Sequence, residues 1–219
     1  MKQDNTISGA GAQERLLEAA MDIFGRDGYE AATTRALARA AGVNIAAIPY
    51  YFNGKEGLYQ AVVSHIIEII KQQIDEMVRM IDGMSFEGPD AKTRALRILE
   101  TLLEKVINFM VGSLQAPRVA RIILREQMFP TAAYDLIYQG FMKPILDSLA
   151  TLVIVITENP SERAAKMRAM SIMGQIMAFR IARETIVRSL DFQGYNAKEL
   201  QEIQEIIKEN TRNILKPFM

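Results

Sequence analysis

The side chains available to this chain exclude most kinds of catalytic site. It contains no cysteine, which excludes a thiolate nucleophile, a disulfide framework and cysteine-ligated zinc. Its single histidine, His65, excludes a histidine-rich metal site. No serine, carboxylate pair or histidine stands in a recognisable catalytic set, and a nucleophile would lack an evident base. We therefore expect a binding protein that is not an enzyme and uses no metal and no cofactor.

The composition is that of an ordinary globular protein with no net charge. The 219 residues include 26 basic and 26 acidic side chains, and 49% are hydrophobic. This balance argues against a general coat for nucleic acid but allows a small local DNA-reading surface. The longest apolar run, residues 152–156, is too short to span a bilayer. The N-terminus lacks the apolar core of a signal peptide, so we expect a cytoplasmic location.

Apolar residues recur at helical spacing almost throughout, which predicts an all-α fold. Residues 1–11 are polar and are expected to form a flexible arm. Thr34 is the candidate N-cap of a helix that Gly42 ends, and Asn44 caps the next one. Pro144 should kink or divide its helix. The predicted helices cover 12–27, 34–41, 44–51, 55–81, 91–111, 117–128, 131–156, 161–189 and 197–215.

Two of these helices, 34–41 and 44–51, are short and are joined only by Gly42-Val43. Such a pair after a supporting helix forms a helix-turn-helix unit. A helix enters the major groove productively only when a partner braces it and holds its N-terminal end toward the bases. The first helix of the pair would be the support and the second the recognition helix.

This unit and its flanks contain the motifs FGRDGY (24–29), TTRALARAAGV (33–43) and IPYYFNGKEGL (48–58). In their order and spacing they resemble the DNA-binding domain of the TetR family of transcriptional repressors. The resemblance implies a homodimeric, ligand-responsive repressor with a helix-turn-helix domain at 12–58. An all-helical domain for effector binding and dimerisation would follow at 59–219.

The same resemblance implies roles for individual residues. Hydroxyls and free N–H groups at Thr33 and Thr34 would hold a phosphate, and Arg35 would reach a guanine. The start of the recognition helix would face the groove and offer mainly methyl contacts to thymine. Tyr50, Tyr51 and Lys55 would contact the DNA backbone. The candidate DNA-binding residues are thus Thr33, Thr34, Arg35, Asn44, Ile45, Ala46, Ala47, Tyr50, Tyr51 and Lys55.

Other interpretations of these residues remain open. Pro49 occupies a position where many family members have a DNA-contacting tyrosine, and it should disturb the last turn of the recognition helix. Specificity would then depend on Arg35, methyl contacts and DNA shape. Arg35 could instead be a solvated helix residue, and Tyr50 or Tyr51 a packing residue. Residues 1–60 carry nearly equal numbers of basic and acidic side chains, so we expect modest non-specific DNA affinity.

The C-terminal half is rich in methionine, which fills core gaps but also suits a pocket for apolar molecules. The segment REQMFPTAAY (125–134), with IAAI (45–48), resembles the CecR-like (CerR-type) subgroup of the TetR family. That resemblance implies a link to multidrug-efflux and antibiotic-sensitivity genes and a small hydrophobic or drug-like effector. Ordinary ion pairs or core packing are the alternative for its polar residues. The candidate effector residues are His65, Arg121, Arg125, Met128, Gln175 and Phe179.

The last two long helices are expected to build a four-helix dimer contact about a twofold axis. Asn196 and Glu199 form a capping box that opens the final helix. The alternative is a monomer that packs both helices inward. The candidate interface residues are Met170, Gly174, Met177 and Ile181 on one helix, and Leu200, Ile203, Ile207, Asn210 and Ile214 on the other.

The sequence therefore predicts a dimeric repressor that binds a palindromic operator and responds to a small effector. A helical small-molecule-binding protein without a DNA role is the alternative, and Pro49 is the best argument for it. The sequence leaves the operator, the effector and the sign of regulation open, so activation is also possible.

Overall fold

The structure, a computed structural model that describes residues 4–113 and 116–219, is helical and has no β-strand in those ranges. This confirms the all-α prediction. The helices are α1 (Asp4–Asp27), α2 (Thr34–Ala41), α3 (Ala47–Phe52), α4 (Lys55–Asp82), α5 (Ala91–Ile107), α6 (Ala116–Met128), α7 (Tyr134–Ile137), α8 (Lys143–Thr157), α9 (Glu162–Ile181), α10 (Arg183–Ser189) and α11 (Ala197–Leu215).

The chain divides into two compact units. The N-terminal unit consists of Met1–Ile69 and Pro117–Gly140, and the C-terminal unit of Ile70–Ala116 and Phe141–Met219. The division falls within α4, which supplies its first half to one unit and its second half to the other. Helix α6 belongs almost entirely to the N-terminal unit, although the predicted domain boundary at residue 58 placed it with the C-terminal half.

The N-terminal unit is built on a small core shared by α1 to α4. Leu16, Phe24, Leu37, Ile48 and Leu58 are all buried to 1% exposure or less. Burying such side chains stabilises the fold by about 1.5–3 kcal/mol each. Outside this core the Nε of Arg15 donates to the carbonyl of Ala41, 3.2 Å away, which ties the end of α2 to α1.

Helix α2 has the predicted bounds, but its N-cap is Thr33 and not Thr34. The backbone of Thr33 is extended (φ −99°, ψ 147°), and its Oγ1 accepts a hydrogen bond from Ala36 N at 3.1 Å. Thr34 already has helical geometry, so its hydroxyl cannot cap the first turn in this way. Gly42 ends the helix as predicted. It is left-handed (φ 64°), and Val43 N bonds to Ala38 O in a Schellman turn.

Helix α3 is short and continues through Pro49. The predicted cap at Asn44 is wrong, because α3 begins at Ala47 and its N-cap is Ala46, which makes no side-chain capping bond. Asn44 closes the turn before the helix instead: its Oδ1 accepts from Ala46 N and its carbonyl from Ala47 N, both at 2.9 Å. The prediction that Pro49 disturbs the last turn is wrong, because α3 extends to Phe52 and Asn53 N bonds to Pro49 O. Pro49 is the third residue of α3, where a missing N–H costs no intrahelical bond.

Several helices differ in extent from the sequence prediction. Residues 4–11, predicted as an arm, continue α1 as helix, because extending a helix costs little once its buried turns have nucleated it; residues 1–3 lie outside the described residues. The helices predicted at 91–111 and 131–156 are interrupted by π-helical turns at Asn108–Gly112 and Tyr138–Met142. Pro144 lies in the first turn of α8, so it does mark the division of its helix.

The C-terminal unit contains α5, α8, α9 and α11, and a ladder of polar side chains fixes the pairing of α5 with α11. Arg212 and Lys208 of α11 donate to Glu100 and Glu104 of α5, and Gln204 donates to Asn108 in the π-helical turn that follows α5, over 2.6–3.1 Å. This antiparallel register turns Ile203 and Ile207 into the core, where they are 3% and 0% exposed. The predicted capping box between Asn196 and Glu199 is present.

One helical stretch among the described residues, Tyr134–Thr157, is long and apolar enough to pass a test for a membrane span. Its second part is α8, in which Leu149, Leu152 and Ile156 are fully buried in the protein. A buried core helix satisfies the same criterion of length and composition.

The left-handed turn at Gly42 yields a prediction about stability. Gly42→Ala should lower the free energy of unfolding by about 1–2 kcal/mol, because a Cβ in this conformation approaches the following carbonyl oxygen. Apart from the two neighbours of Gly42 in the chain, no described residue lies within 4 Å of that Cβ, so the cost comes from the local backbone alone. Gly42→Asn, which tolerates the conformation better, is the control in urea unfolding. Equal stability of Gly42→Ala and wild type would contradict this account.

Candidate nucleic-acid interface

The ten candidate DNA-binding residues all lie at the surface of the N-terminal unit. None of them is buried, so each side chain is accessible to a DNA molecule. Pro49, which lies among them on α3, is exposed as well. Six of the candidates are exposed, namely Thr33, Arg35, Asn44, Ile45, Ala46 and Tyr50, and four are half-buried, namely Thr34, Ala47, Tyr51 and Lys55.

The N-terminus of α2 presents hydrogen-bond donors next to a cation. The first turn of a helix has N–H groups without intrahelical partners, and its dipole favours a negative charge. Thr33 Oγ1 accepts from Ala36 N, which leaves its hydroxyl hydrogen free to donate. Arg35 is exposed one residue into the helix. This arrangement can hold a phosphate and place a guanidinium beside it.

Arg39 is a basic residue that the sequence interpretation missed. It lies one helical turn after Arg35 on α2 and is also exposed. The i, i+4 spacing of the two arginines was the available signal, because it places them on one face of the helix. The charge of Arg39 also suits the C-terminal end of α2, where it lies.

The surface of α3 and of the turn before it is apolar and aromatic. Ile45 is 48% exposed, Ala46 is exposed, and both can offer methyl groups to thymine. Tyr50 is 80% exposed, and its ring meets that of Tyr51 edge to face with centroids 4.8 Å apart. Tyr50 is thus available for contact, while the half-buried Tyr51 also serves as a support for it.

Lys55, the first residue of α4, contacts the turn between α1 and α2. Its Nζ donates to the carbonyl of Glu30 at 3.3 Å and lies 4.4 Å from the centre of the Tyr29 ring. Burial, with the charges of Glu56 and Glu30, raises the pKa of Tyr29. The phenol therefore stays neutral at physiological pH and presents an intact π face to the ammonium.

A buried carboxylate lies at the other end of this aromatic group. Glu126 is 1% exposed, and its carboxylate accepts from Tyr59 at 2.6 Å and from the N–H and hydroxyl of Thr131 at 3.0 and 2.9 Å. Burial, with the hydrogen bond to Glu126, raises the pKa of Tyr59 far above its usual range. These bonds offset much of the cost of burying a charge.

Two arginines attach α6 to α1 in the same unit. Arg118 donates to Asp22 at 2.7 Å and to Glu18 at 2.9 Å. Arg125 donates to the carbonyls of Gly25 and Arg26, near the end of α1, at 3.1 and 2.5 Å. A cation favours this end of a helix, since the last carbonyls there lack intrahelical partners. Helix α6 is therefore fixed to the helix-turn-helix bundle by charged contacts.

The six candidate effector residues are distributed over the two units. His65, Arg121, Arg125 and Met128 lie in the N-terminal unit, and Gln175 and Phe179 in the C-terminal unit. His65 Nε2 lies 3.8 Å from Glu18 Oε1, and Arg125 bonds to backbone as described above. None of the six lines the groove beside Gln13, Leu17 and Phe52 or the groove along the start of α9.

The candidate dimer residues fall into two groups. Met170, Gly174 and Ile181 of α9 are exposed, Met177 is half-buried, and all four lie on one helix. On α11 Asn210 is exposed and Leu200 and Ile214 are half-buried. Ile203 and Ile207 do not fit a seam between subunits, because the pairing of α11 with α5 buries them inside their own unit.

This fold, with its exposed recognition helix, defines a helix-turn-helix DNA-binding protein, and comparison with known proteins gives its family. Residues 16–62 match the model described as bacterial regulatory proteins, tetR family. Residues 95–217 match the model for the C-terminal domain of the HTH-type transcriptional dual regulator CecR. The chain belongs to the TetR family of transcriptional regulators, and within it to the CecR-like subgroup. The family consists of regulators and not of enzymes.

Individual relatives agree with this assignment. The chain is 32% identical over 205 residues to the dual regulator CecR of Shigella flexneri, and the match covers 92% of this chain and 90% of that protein. Two solved structures share the fold at low sequence identity. AibR in complex with isovaleryl coenzyme A and operator DNA has a TM-score of 0.64 at 13% identity, covering 91% of this chain and 97% of that one. Mycobacterium smegmatis AmtR has a TM-score of 0.60 at 16% identity, covering 93% and 85%.

The buried carboxylate yields a prediction about stability. Tyr59→Phe should lower the free energy of unfolding by about 1–3 kcal/mol at neutral pH, because the buried Glu126 loses a donor. The raised pKa of Tyr59 means that this stabilisation is complete below pH ~10 and declines as the pH rises above it. Urea unfolding at pH 7 and about pH 11 should therefore show a smaller difference between variant and wild type at the higher pH.

The control for this measurement is Tyr134→Phe, whose hydroxyl forms only a long, exposed bond of 3.4 Å to Gln127. It should stay within about 0.5 kcal/mol of wild type. A Tyr59→Phe variant as stable as Tyr134→Phe would show that the bond to Glu126 contributes nothing.

Proposed function

We propose that this regulator is a cytoplasmic repressor that binds a palindromic operator as a homodimer and is released by a small hydrophobic or drug-like effector. The observation that carries the proposal is the surface formed by the start of α2, by α3 with the turn before it, and by the start of α4. Arg35, Tyr50 and Lys55 are accessible there on a well-packed helix-turn-helix bundle. A homodimer would present two such surfaces to major grooves about 34 Å apart, or a multiple of that distance.

Base recognition would depend on few hydrogen bonds. Arg35 is the candidate for a bidentate contact to guanine, while Ile45 and Ala46 offer methyl contacts to thymine. Thr33, Tyr50 and Lys55 would contact phosphates and set the register on the duplex. Because Pro49 contributes neither a phenol nor an N–H, sequence-dependent DNA shape would supply much of the remaining specificity.

The second copy would pack against α9. Met167, Met170 and Ile181 are 65%, 56% and 61% exposed, and the spacing of residues 167, 170, 174 and 181 places them on one face. Met167 and Met170 also line an open groove with a volume of about 690 Å³. Large apolar side chains grouped in this way are uncommon on the surface of a monomer. A twofold axis would cover this face with its own copy.

The effector would bind among the helices of the C-terminal unit. Three buried polar atoms there, Ser148 Oγ, Gln175 Nε2 and Thr211 Oγ1, have no hydrogen-bond partner among the described residues. Gln175 and Phe179 are one turn apart on α9, so an amide donor and an aromatic ring share a face. The AibR complex supports the idea that a protein of this fold takes a small molecule and operator DNA.

Operator binding provides the direct test. We expect the purified protein to bind the DNA upstream of its own gene more tightly than a scrambled fragment at physiological salt. Arg35→Ala should cost about 1–3 kcal/mol and relax the preference at one base position, as measured by selection from random DNA. Arg188→Ala is the control, since its side chain is 83% exposed on the C-terminal unit.

The outcomes of these DNA-binding measurements distinguish the repressor from the alternative functions. Unchanged preference in Arg35→Ala would remove its proposed role in base recognition. Absence of any preferred sequence after selection from random DNA would favour a ligand-binding protein without a DNA role. The direction of regulation is tested by in vitro transcription from a promoter that carries the selected site. Inhibition of transcription by the protein, reversed by a small compound, would support a repressor. Stimulation of transcription by the protein would show that it is an activator.

The dimer proposal yields a separate prediction. Met170→Asp with Ile181→Asp should shift the protein from dimer to monomer in analytical ultracentrifugation, because two desolvated carboxylates would face their copies across the axis. Met128→Asp is the control, because Met128 is 70% exposed but lies on the N-terminal unit. A dimer that persists in the double variant would exclude this face of α9.

A further inference from the structure

Lys55 is held in place by a single turn of the chain. Tyr29 and Glu30, which are adjacent between α1 and α2, contact it through a ring whose centre is 4.4 Å away and a carbonyl 3.3 Å away. The contact to Glu30 is with its backbone and not with its carboxylate, so the charge of the ammonium is not neutralised there. A lysine ammonium has three N–H groups, and the carbonyl uses one.

The Tyr29 ring is itself fixed from the other side. Its centroid lies 5.1 Å from that of Tyr59 and 6.1 Å from that of Phe24, and the Phe24 and Tyr59 rings meet edge to face at 4.9 Å. Phe24 is 1% exposed and Tyr59 is 5% exposed, so the two partners of Tyr29 are core residues. Tyr29 therefore has a defined position at the boundary between this aromatic cluster and the ammonium.

We propose that Tyr29 is a positioning residue for DNA binding, which holds the Lys55 ammonium through its π face so that two N–H groups remain for a phosphate. An unconstrained lysine loses much rotamer entropy when it is immobilised. A ring that orders the side chain before DNA arrives removes part of that cost from the binding step. This inference rests on the proposed phosphate contact of Lys55.

The salt dependence of DNA binding distinguishes such a role from general stability. The slope of log K against log salt becomes shallower by about 0.9 for each phosphate that the protein no longer neutralises, whereas reduced folding stability alone leaves the slope unchanged. The probe is a duplex that the wild-type protein selects from random-sequence DNA, titrated between about 50 and 200 mM salt. The measured quantities are this slope and the affinity at physiological salt.

Four variants carry the test. Lys55→Ala should make the slope shallower by about 0.9 per subunit. Tyr29→Leu, which keeps apolar bulk but removes the ring, should weaken binding about two- to fivefold and move the slope toward that of Lys55→Ala. Tyr29→Phe keeps the π face and should retain the wild-type slope. Tyr29→Leu combined with Lys55→Ala should bind no more weakly than Lys55→Ala alone.

Phe24→Leu is the matched control, because it removes a ring from the same cluster without touching Lys55. It should lower the melting temperature and leave the slope at the wild-type value. If Tyr29→Leu does not fold, a variant with phenylalanine at position 29 is compared with one that has trifluorophenylalanine there. The two rings have a similar shape, but fluorine makes the ring face less negative. The fluorinated ring should then bind DNA more weakly.

The outcomes separate this inference from the proposed function. A wild-type slope in Lys55→Ala would show that Lys55 does not contact a phosphate, and the inference about Tyr29 would then be wrong as well. A shallower slope in Lys55→Ala with a wild-type slope in Tyr29→Leu overturns the inference and leaves the phosphate contact intact. An equally shallow slope in Phe24→Leu also overturns it, because the effect would then belong to the core.

Discussion

The N-terminal unit depends on a charge that is buried and hydrogen-bonded but not paired directly with a cation in the described contacts. Glu126 is 1% exposed and accepts bonds from Tyr59 and Thr131. An isolated buried carboxylate would be costly, so these donors must stay in place whenever the unit is folded. Glu126 thereby joins α6, the turn that follows it and α4. Arg118 and Arg125 connect α6 to α1 as well. The contacts of Glu126 and of the two arginines together explain why residues 117–140 belong to the same unit as residues 1–69.

Local sequence signals predicted local structure well. The bounds of α2 and α11, the first residue of α4, the left-handed Gly42 and the capping box at Asn196 each depend on a few neighbouring residues. Errors arose where two local choices compete. Thr33 and Thr34 can both cap a helix, and only the backbone conformation decides between them. Pro49 lies close to a helix start and not to a helix end, a difference of two or three residues that periodicity does not resolve.

Long-range partners were beyond the reach of the sequence. Periodicity shows that Ile203 and Ile207 share an apolar face, but not whether that face meets another subunit or α5 of the same chain. Three polar pairs, in each of which the two residues are about a hundred positions apart in sequence, show that this face packs on α5 of the same chain. The residues of the contact between Tyr59 and Glu126 are also distant, 67 positions apart. The exposure of the candidate DNA-binding residues, in contrast, follows from the family pattern, because the helix-turn-helix unit is compact and local.

The electrostatics of the chain make the position of each cation on the proposed DNA-binding surface important. With 26 basic and 26 acidic residues, the protein has no net charge to concentrate it near DNA. In the proposed mode of binding, DNA affinity would then depend on a few cations held at the right points and on the N–H groups of helix α2. Lys55 satisfies this condition because the turn at Tyr29 and Glu30 fixes its ammonium without neutralising it. The ring that fixes it packs against Tyr59, whose hydroxyl bonds to Glu126. A protein without excess positive charge can thus bind DNA selectively when its core determines where the few cations stand.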